Sequence, residues 1–371
     1  MKKKLLIALF ILSVLAPNFL YEAVKGRLDT ASTENRTLAE FPALTADTLE
    51  TFPAAFEEFY NDHMPFKNYF VRLNNFIDMK IFKKTFIGDV TVGVGNWLFY
   101  TVDVDGENAR GDYQHTNLYS QEQMAEIAGK IEDVDRYLKE NGVERFHFYI
   151  APNKETIYPQ YMPQSIKVYG DEGSRIDRFS RYMGENSNVD FTYLYDDLKP
   201  YSETYQIYYK YDTHVNPIGS FLISQRMSAD LTGRRLTPED VTIEADGTTS
   251  GDMAQMINQV DAMSDDTMYS VSNFYPDITD EMVDELTTYQ NIMQEYRSDS
   301  PNHRTLMVIG DSYRLGVAPF LAKLYDHLVV LRIDDYTPDL LEKYKPDDVA
   351  VLLVERNQKF MEHIDEYLGL P

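Results

Sequence analysis

The sequence contains no cysteine. That excludes a disulfide framework, a thiol nucleophile, thiolate-bound zinc and a lipid anchor on Cys. Tryptophan occurs once, at Trp97, although Tyr and Phe bring the aromatic content to 13%. Positive charge is scarce. The 371 residues carry 35 Lys and Arg against 60 Asp and Glu, a formal net charge of −25. Such a field repels nucleic acid and gives no general attraction to an anionic membrane surface. His63, His115, His147, His303, His327 and His363 show no zinc spacing such as H-E-x-x-H. There is no Walker loop, no Rossmann glycine fingerprint and no internal repeat. The sequence implies no cofactor and no metal.

Long apolar runs are also scarce, and the one present stands at the start. "MKKK" precedes "LLIALFILSVLA", a run of signal-peptide type. Pro17 follows the small-residue pair Val14 and Ala16 and disfavours cleavage there. Residues 1–24 therefore read as a signal peptide or an uncleaved signal anchor, the anchor preferred, with the lysines inside. The membrane is then a partner through this segment.

With 43% hydrophobic residues the rest of the chain can bury a core. "FPAAFEEFYNDHMPFKNYFVRLNNFIDMKIF" predicts helix, broken near Pro65. "VTVGVGNWLFYT" predicts a hairpin. "SQEQMAEIAGKIEDVDRYLKENG" predicts an amphipathic helix, capped by Ser120 with Gln123 and ended by Asn141-Gly142. "VERFHFYIAPNK" and "VDFTYLYDDL" predict strands, with "IDRFSRYMGE" a helix between them. "ETYQIYYKYDTH" reads as extended and "PIGSFLISQRMSADL" as helix. Residues 237–300 read as an irregular acidic insertion with one helix at "TDEMVDELTTYQNIMQEYR". The end alternates β-α-β-α-β from "TLMVIG" to "DVAVLLVER", the pattern of an α/β fold with a parallel sheet.

Two short stretches carry the chemistry. Ser312 follows the strand "TLMVIG" and precedes a helix, where sites gather in parallel sheets. Helix-start amides there can face a developing oxyanion. A serine in such a place is equally a helix cap. In "YKYDTHVNPIG", Asp212 and His214 stand two apart in an extended segment, on one side. Asn216 and Pro217 then start a helix that fixes the loop. Taken together, Ser312, His214 and Asp212 supply a nucleophile, a base and an orienting carboxylate. The amide of Ser312 is the first oxyanion candidate. Asn153 in "PNK", Arg356 and Asn357 are side-chain candidates, and Lys154 and Arg314 are candidates for substrate contact.

In family order the chain carries "ENRTLAEFP", "FYNDHMPFKN", "VGVGNWLFY", "APNKETIYPQYMP", "YDTHVNPIG", "SGDMAQMI" and "VIGDSY". It resembles the AlgX/AlgJ-type SGNH hydrolase-like family, close to the DHHW proteins. The resemblance spans most of residues 25–371 and implies a parallel sheet flanked by helices, with the motif order permuted so that the His motif precedes the Ser motif. It assigns Ser312 as nucleophile, His214 as base and Asp212 as orienter. Val215 stands where the family often has Trp, and Lys67 where Arg is common. The resemblance further implies an extracytoplasmic O-acetyltransferase acting on an exported polysaccharide beside a membrane-bound O-acyltransferase. An acetyl esterase with the same residues, and a non-catalytic polysaccharide-binding scaffold, are the rival readings.

Overall fold

The computed structural model describes residues 2–28, 38–82, 84–104, 107–287 and 292–370. It divides into two compact units, Met1–Gly88 with Ala254–Ala262, and Asp89–Met253 with Met263–Pro371.

The first unit is helical. Lys2–Val24 forms one helix containing Pro17. Among the described residues no helix is long and apolar enough to cross a membrane. The expected break at Pro65 is present: helices Phe52–Asp62 and Lys67–Lys80 flank it, and Phe66 takes a left-handed backbone at φ 60°. The second of these helices packs on 254–262. Asn75 donates to the Ile257 carbonyl at 2.9 Å, and Gln259 donates to the Arg72 carbonyl at 2.9 Å.

The second unit is built on a seven-stranded sheet. Its strands in chain order are β1 (Arg145–Ala151), β2 (Asp190–Tyr193), β3 (Asp280–Thr287), β4 (Ile292–Ser298), β5 (Thr305–Gly310), β6 (His327–Arg332) and β7 (Asp348–Val354). They lie in the order β3-β4-β6-β5-β7-β1-β2. The five from β6 to β2 are parallel. β3 and β4 run antiparallel at one edge, so the sheet is mixed and not wholly parallel as expected.

Period-2 alternation sorts the core into two layers. Leu306, Val308, Ala350 and Leu352 pack on one face with helices α3 (Pro217–Thr232) and α4 (Tyr313–Leu321). Met307, Ile309, Val349 and Val351 pack on the other with α1 (Gln121–Glu140) and α2 (Arg175–Asn186). α1 buries Met124, Ile127, Ile131, Val134 and Leu138, the spacing of one helical face, and its Ser120–Gln123 capping box is present as expected. The predicted hairpin forms between Val90–Val92 and Leu98–Tyr100.

Residues 237–300 differ most from expectation. The predicted helix over "TDEMVDELTTYQNIMQEYR" is the antiparallel pair β3 and β4. Acidic composition favoured a helix locally, but β6 offers an open backbone edge. β4 fills that edge with Gln294–Arg297 opposite His327–Val330, and buries Tyr296 there. Tertiary pairing overrides local preference in such a segment. Part of the remainder is regular too: Thr242–Thr249 and Asp266–Ser272 form a further antiparallel pair.

Gly310 ends β5 against β7. A Cβ there would overlap the Leu352 carbonyl oxygen. Gly310→Ala should therefore force the two strands apart, at a cost of about 2–4 kcal/mol. Urea unfolding checks this: the midpoint falls at unchanged slope, and an unchanged midpoint contradicts it.

Candidate active site

β5 delivers Asp311 and Ser312 to the carboxyl edge of the sheet. Ser312 is the residue before α4, but its side chain makes no capping bond. Asp311 does the local work instead. Its Oδ1 accepts the Tyr313 amide at 3.0 Å. Its Oδ2 accepts the Val354 amide at 2.7 Å and Asn357 Nδ2 at 2.8 Å, which ties the serine turn to the end of β7. Ser312 Oγ is thereby left for another partner.

That partner is His214. Nε2 of His214 lies 2.8 Å from Ser312 Oγ, and Nδ1 lies 2.6 Å from Asp212 Oδ1. The three side chains expected to meet thus form one hydrogen-bonded row, with the imidazole between the other two. The local reason differs from the strand periodicity first invoked. Residues 206–216 are a looped segment with one isolated bridge, Tyr208 to Val215. Asp212 Oδ1 also accepts the His214 amide at 3.0 Å, so a side-chain turn brings the carboxylate onto the ring. Asn216 then caps α3 by accepting the Ile218 and Gly219 amides at 3.0 and 3.1 Å. Burial alone would raise the Asp212 carboxyl, but the hydrogen bonds and charge of His214 hold it below the usual carboxylate range.

The remaining candidates separate into distinct places. Asn153 lies two residues beyond β1 and is buried; its Oδ1 accepts the Arg356 amide at 3.2 Å, which orients the side-chain amide. Lys154 does not reach outward to a substrate. It is buried under the loop, and Nζ donates to the carbonyls of Tyr209, Lys210 and Asp212 at 3.0, 3.2 and 2.8 Å. Burial pushes its ammonium down to about 7, against the opposing pull of Asp212 and Asp252. Arg314 is likewise buried, bonding the carbonyls of Asp311 and Ile292 at 2.7 Å each, and so ties the serine turn to β4. Burial lowers its guanidinium to about 10. Both residues are placed as internal struts, correcting the expectation of substrate contact. Arg356 lies 5.8 Å from the ring centres of Tyr100 and Tyr313.

Several residues at the site were given no role from sequence. Tyr313 OH donates to the Thr213 carbonyl at 3.1 Å. Asp252, from the quoted "SGDMAQMI", donates its amide to Asp212 Oδ2 at 3.0 Å. The preceding Gly251 lies so close to Tyr211 and Asp212 that a Cβ would overlap their backbone. That motif was the available signal, but nothing in its spacing says which loop it meets. Ligand-type atoms of Asp212, His214 and Asp252 lie within 4.8 Å of one another. They are committed to one another and to Thr213 by hydrogen bonds, the arrangement of an oriented imidazole.

A family model described as the SGNH hydrolase-like domain of the acetyltransferase AlgX matches residues 90–332. The chain belongs to this family. The matched span contains the His214 loop, Asp252 and Ser312; Glu355, Arg356 and Asn357 lie beyond it. Among solved structures, a DHHW family protein from Eubacterium siraeum is similar at 16% identity and TM-score 0.50, covering 76% of this chain and 97% of that one. Bacillus cereus PatB1 with a sulfonyl adduct is similar at 15% identity and TM-score 0.50, covering 74% and 96%. The O-acetyltransferase domain of Pseudomonas putida AlgJ gives 14% identity and TM-score 0.46, covering 74% and 92%. At these identities the likeness speaks for the fold. No curated protein matches the chain.

Glu355 stands buried behind Asn153. Its carboxylate accepts the Asn153 amide at 2.8 Å, Thr156 Oγ1 at 2.9 Å and Tyr193 OH at 3.1 Å. Burial pushes its carboxyl up to about 7. The folded state therefore holds this proton more tightly than the unfolded chain does. Its contribution to stability is full below the ordinary carboxylate range and is lost as pH rises towards about 7. Glu355→Gln should flatten that part of the stability–pH curve and exceed the parent above it, by about 1–3 kcal/mol. Urea unfolding across pH tests this, and an unchanged slope contradicts it.

Proposed function

We propose that the protein is an O-acetyltransferase that passes acetyl groups through Ser312 to hydroxyls of an exported polysaccharide. The observation that carries this is the row Asp212–His214–Ser312, at 2.6 and 2.8 Å, in a chain of the AlgX acetyltransferase family. A scaffold role gives no reason for a serine at a helix start to bond an oriented imidazole in place of the helix amides.

In the first half-reaction, Ser312 Oγ attacks the carbonyl carbon of an acetyl donor while His214 Nε2 takes the hydroxyl proton. Asp212 fixes the ring tautomer and stabilises the imidazolium that forms. The tetrahedral oxygen is held by the Ser312 amide and by Asn153 Nδ2, whose orientation follows from the bond at its Oδ1. Collapse expels the donor's leaving group, which takes the proton from His214. In the second half, a sugar hydroxyl attacks the acetyl-serine, His214 accepts its proton, and collapse returns that proton to Ser312. Water in place of the sugar gives the esterase outcome. The side chain of His214 is 37% exposed, so either acceptor can approach.

The N-terminal segment exports the protein and, left uncleaved, holds it at the outer face of the membrane, where a membrane-bound O-acyltransferase would supply acetyl groups. Mass spectrometry of the protein from native membranes checks this. A chain retaining residues 1–24 supports the anchor, and a mature N-terminus beyond Gly26 excludes it.

Ser312→Ala and His214→Ala should each reduce acetyl-ester turnover by about 10³-fold or more, with Asp212→Ala costing less and all three variants folded. Turnover of a small acetyl ester by purified protein, alongside polymer acetylation in cells, measures this. Full activity of Ser312→Ala in both assays would overturn this reading in favour of a non-catalytic scaffold.

A further inference from the structure

Asp212 is not the only carboxylate behind the imidazole. Asp252 Oδ2 lies 3.7 Å from His214 Nδ1. It reaches that place through Thr213, the residue between Asp212 and His214. Thr213 donates its amide to Asp252 Oδ1 at 2.8 Å and its hydroxyl to Asp252 Oδ2 at 2.5 Å. Thr213 Oγ1 in turn lies 3.3 Å from His214 Nδ1. In the other direction, the Asp252 amide donates to Asp212 Oδ2. The two loops are therefore cross-bonded in both senses, and the close approach depends on Gly251, where a Cβ would overlap the Tyr211 and Asp212 backbone.

We propose that Asp252 is a second carboxylate of the catalytic centre, a positioning residue that locks the Asp212–His214 turn and adds negative charge beside the His214 imidazolium. Its two functions are separable in principle. The hydrogen bonds fix the ring for attack on Ser312. The charge favours the protonated ring formed in each half-reaction, because an opposite charge within about 4–6 Å stabilises the charged form of a titrating group. Bulk solvent screens this partly, since Asp252 and His214 side chains are 34% and 37% exposed. Among the described residues, the charged and titratable groups placed against the ring include Asp212 in its own loop, Asp252, and Tyr313 at 5.7 Å between ring centres. Lys154 stands behind, on the Asp212 carbonyl, and Arg356 beyond the Tyr313 ring.

The rate consequences rest on the proposed acetyl transfer; the titration does not. Asp252→Asn keeps an oxygen to accept the Thr213 amide and an NH₂ to donate to its hydroxyl, but removes the charge. It should move the acid limb of the pH–rate profile to lower pH, since the ring then holds its proton less tightly. It should also lower kcat at the plateau by about tenfold, as a weaker base with a less stabilised imidazolium. KM should stay within about twofold. Asp252→Glu should restore the limb in part. NMR titration of His214 in a Ser312→Ala background should show the same downward shift on Asp252→Asn. A slower variant with an unmoved limb would reduce Asp252 to packing and overturn the inference, as would a variant unchanged in both. If Asp252→Asn does not fold, Thr213→Val loosens the carboxylate while keeping the backbone bonds, and carries the same readout. If the parent shows no serine-dependent turnover, the acetyl-transfer reading fails, and the NMR titration still decides the place of Asp252.

Discussion

The structure of the site depends on one interaction, the short hydrogen bond between Asp212 Oδ1 and His214 Nδ1 at 2.6 Å. A serine hydroxyl does not lose its proton near neutral pH without a base, and an imidazole serves only in the right tautomer and orientation. The carboxylate supplies both. It is itself held by the amides of His214 and Asp252, so it cannot turn away from the ring without breaking backbone bonds. Beneath the turn, Lys154 donates to three carbonyls of the same loop, those of Tyr209, Lys210 and Asp212. A flexible loop would have to order itself before such a proton transfer; here hydrogen bonds already hold the turn.

The sheet performs the equivalent service for the serine. Parallel pairing of β5 with β6 and β7 fixes where the strand ends. Asp311 then uses both carboxylate oxygens to bind the Tyr313 amide, the Val354 amide and Asn357. Asp311 meets the demand that helix amides make at a helix start, and Ser312 is left facing His214. α3 and α4 pack against each other on one face of the sheet, so the helices that leave the two loops share a core with Phe221 and Phe320 in contact at 5.6 Å between ring centres. Ser312 and His214 are thus joined by packed helices as well as by their own hydrogen bond.

Much of this was legible in the sequence, and the parts that were not have physical reasons. The apolar β-α-β-α-β run near the end, the capped helix at Gln121–Glu140 and the break at Pro65 are local patterns, and each appears. The convergence of Ser312, His214 and Asp212 was legible through the pairing of the two motifs and the family resemblance; the helix start beside each loop does not by itself say which loops meet. The edge pair β3 and β4 was not, since an acidic segment shows its strand character only when β6 offers an edge to complete. Lys154 and Arg314 invited a reading as substrate contacts because long cations are usually exposed. Here each finds carbonyl acceptors inside the fold. Asp252 lay in a quoted motif, but its meaning comes from a contact across 40 residues of chain that no spacing encodes.

In the proposed reaction acetyl groups pass through Ser312. The most direct measurement is intact and peptide mass spectrometry of the protein quenched in acid during turnover of an acetyl ester. One acetyl group is expected on the peptide containing Ser312, accumulating in the parent and absent in Ser312→Ala and in His214→Ala. Turnover with no acetylated Ser312 peptide, or an acetyl group carried elsewhere and unaffected by Ser312→Ala, would contradict it.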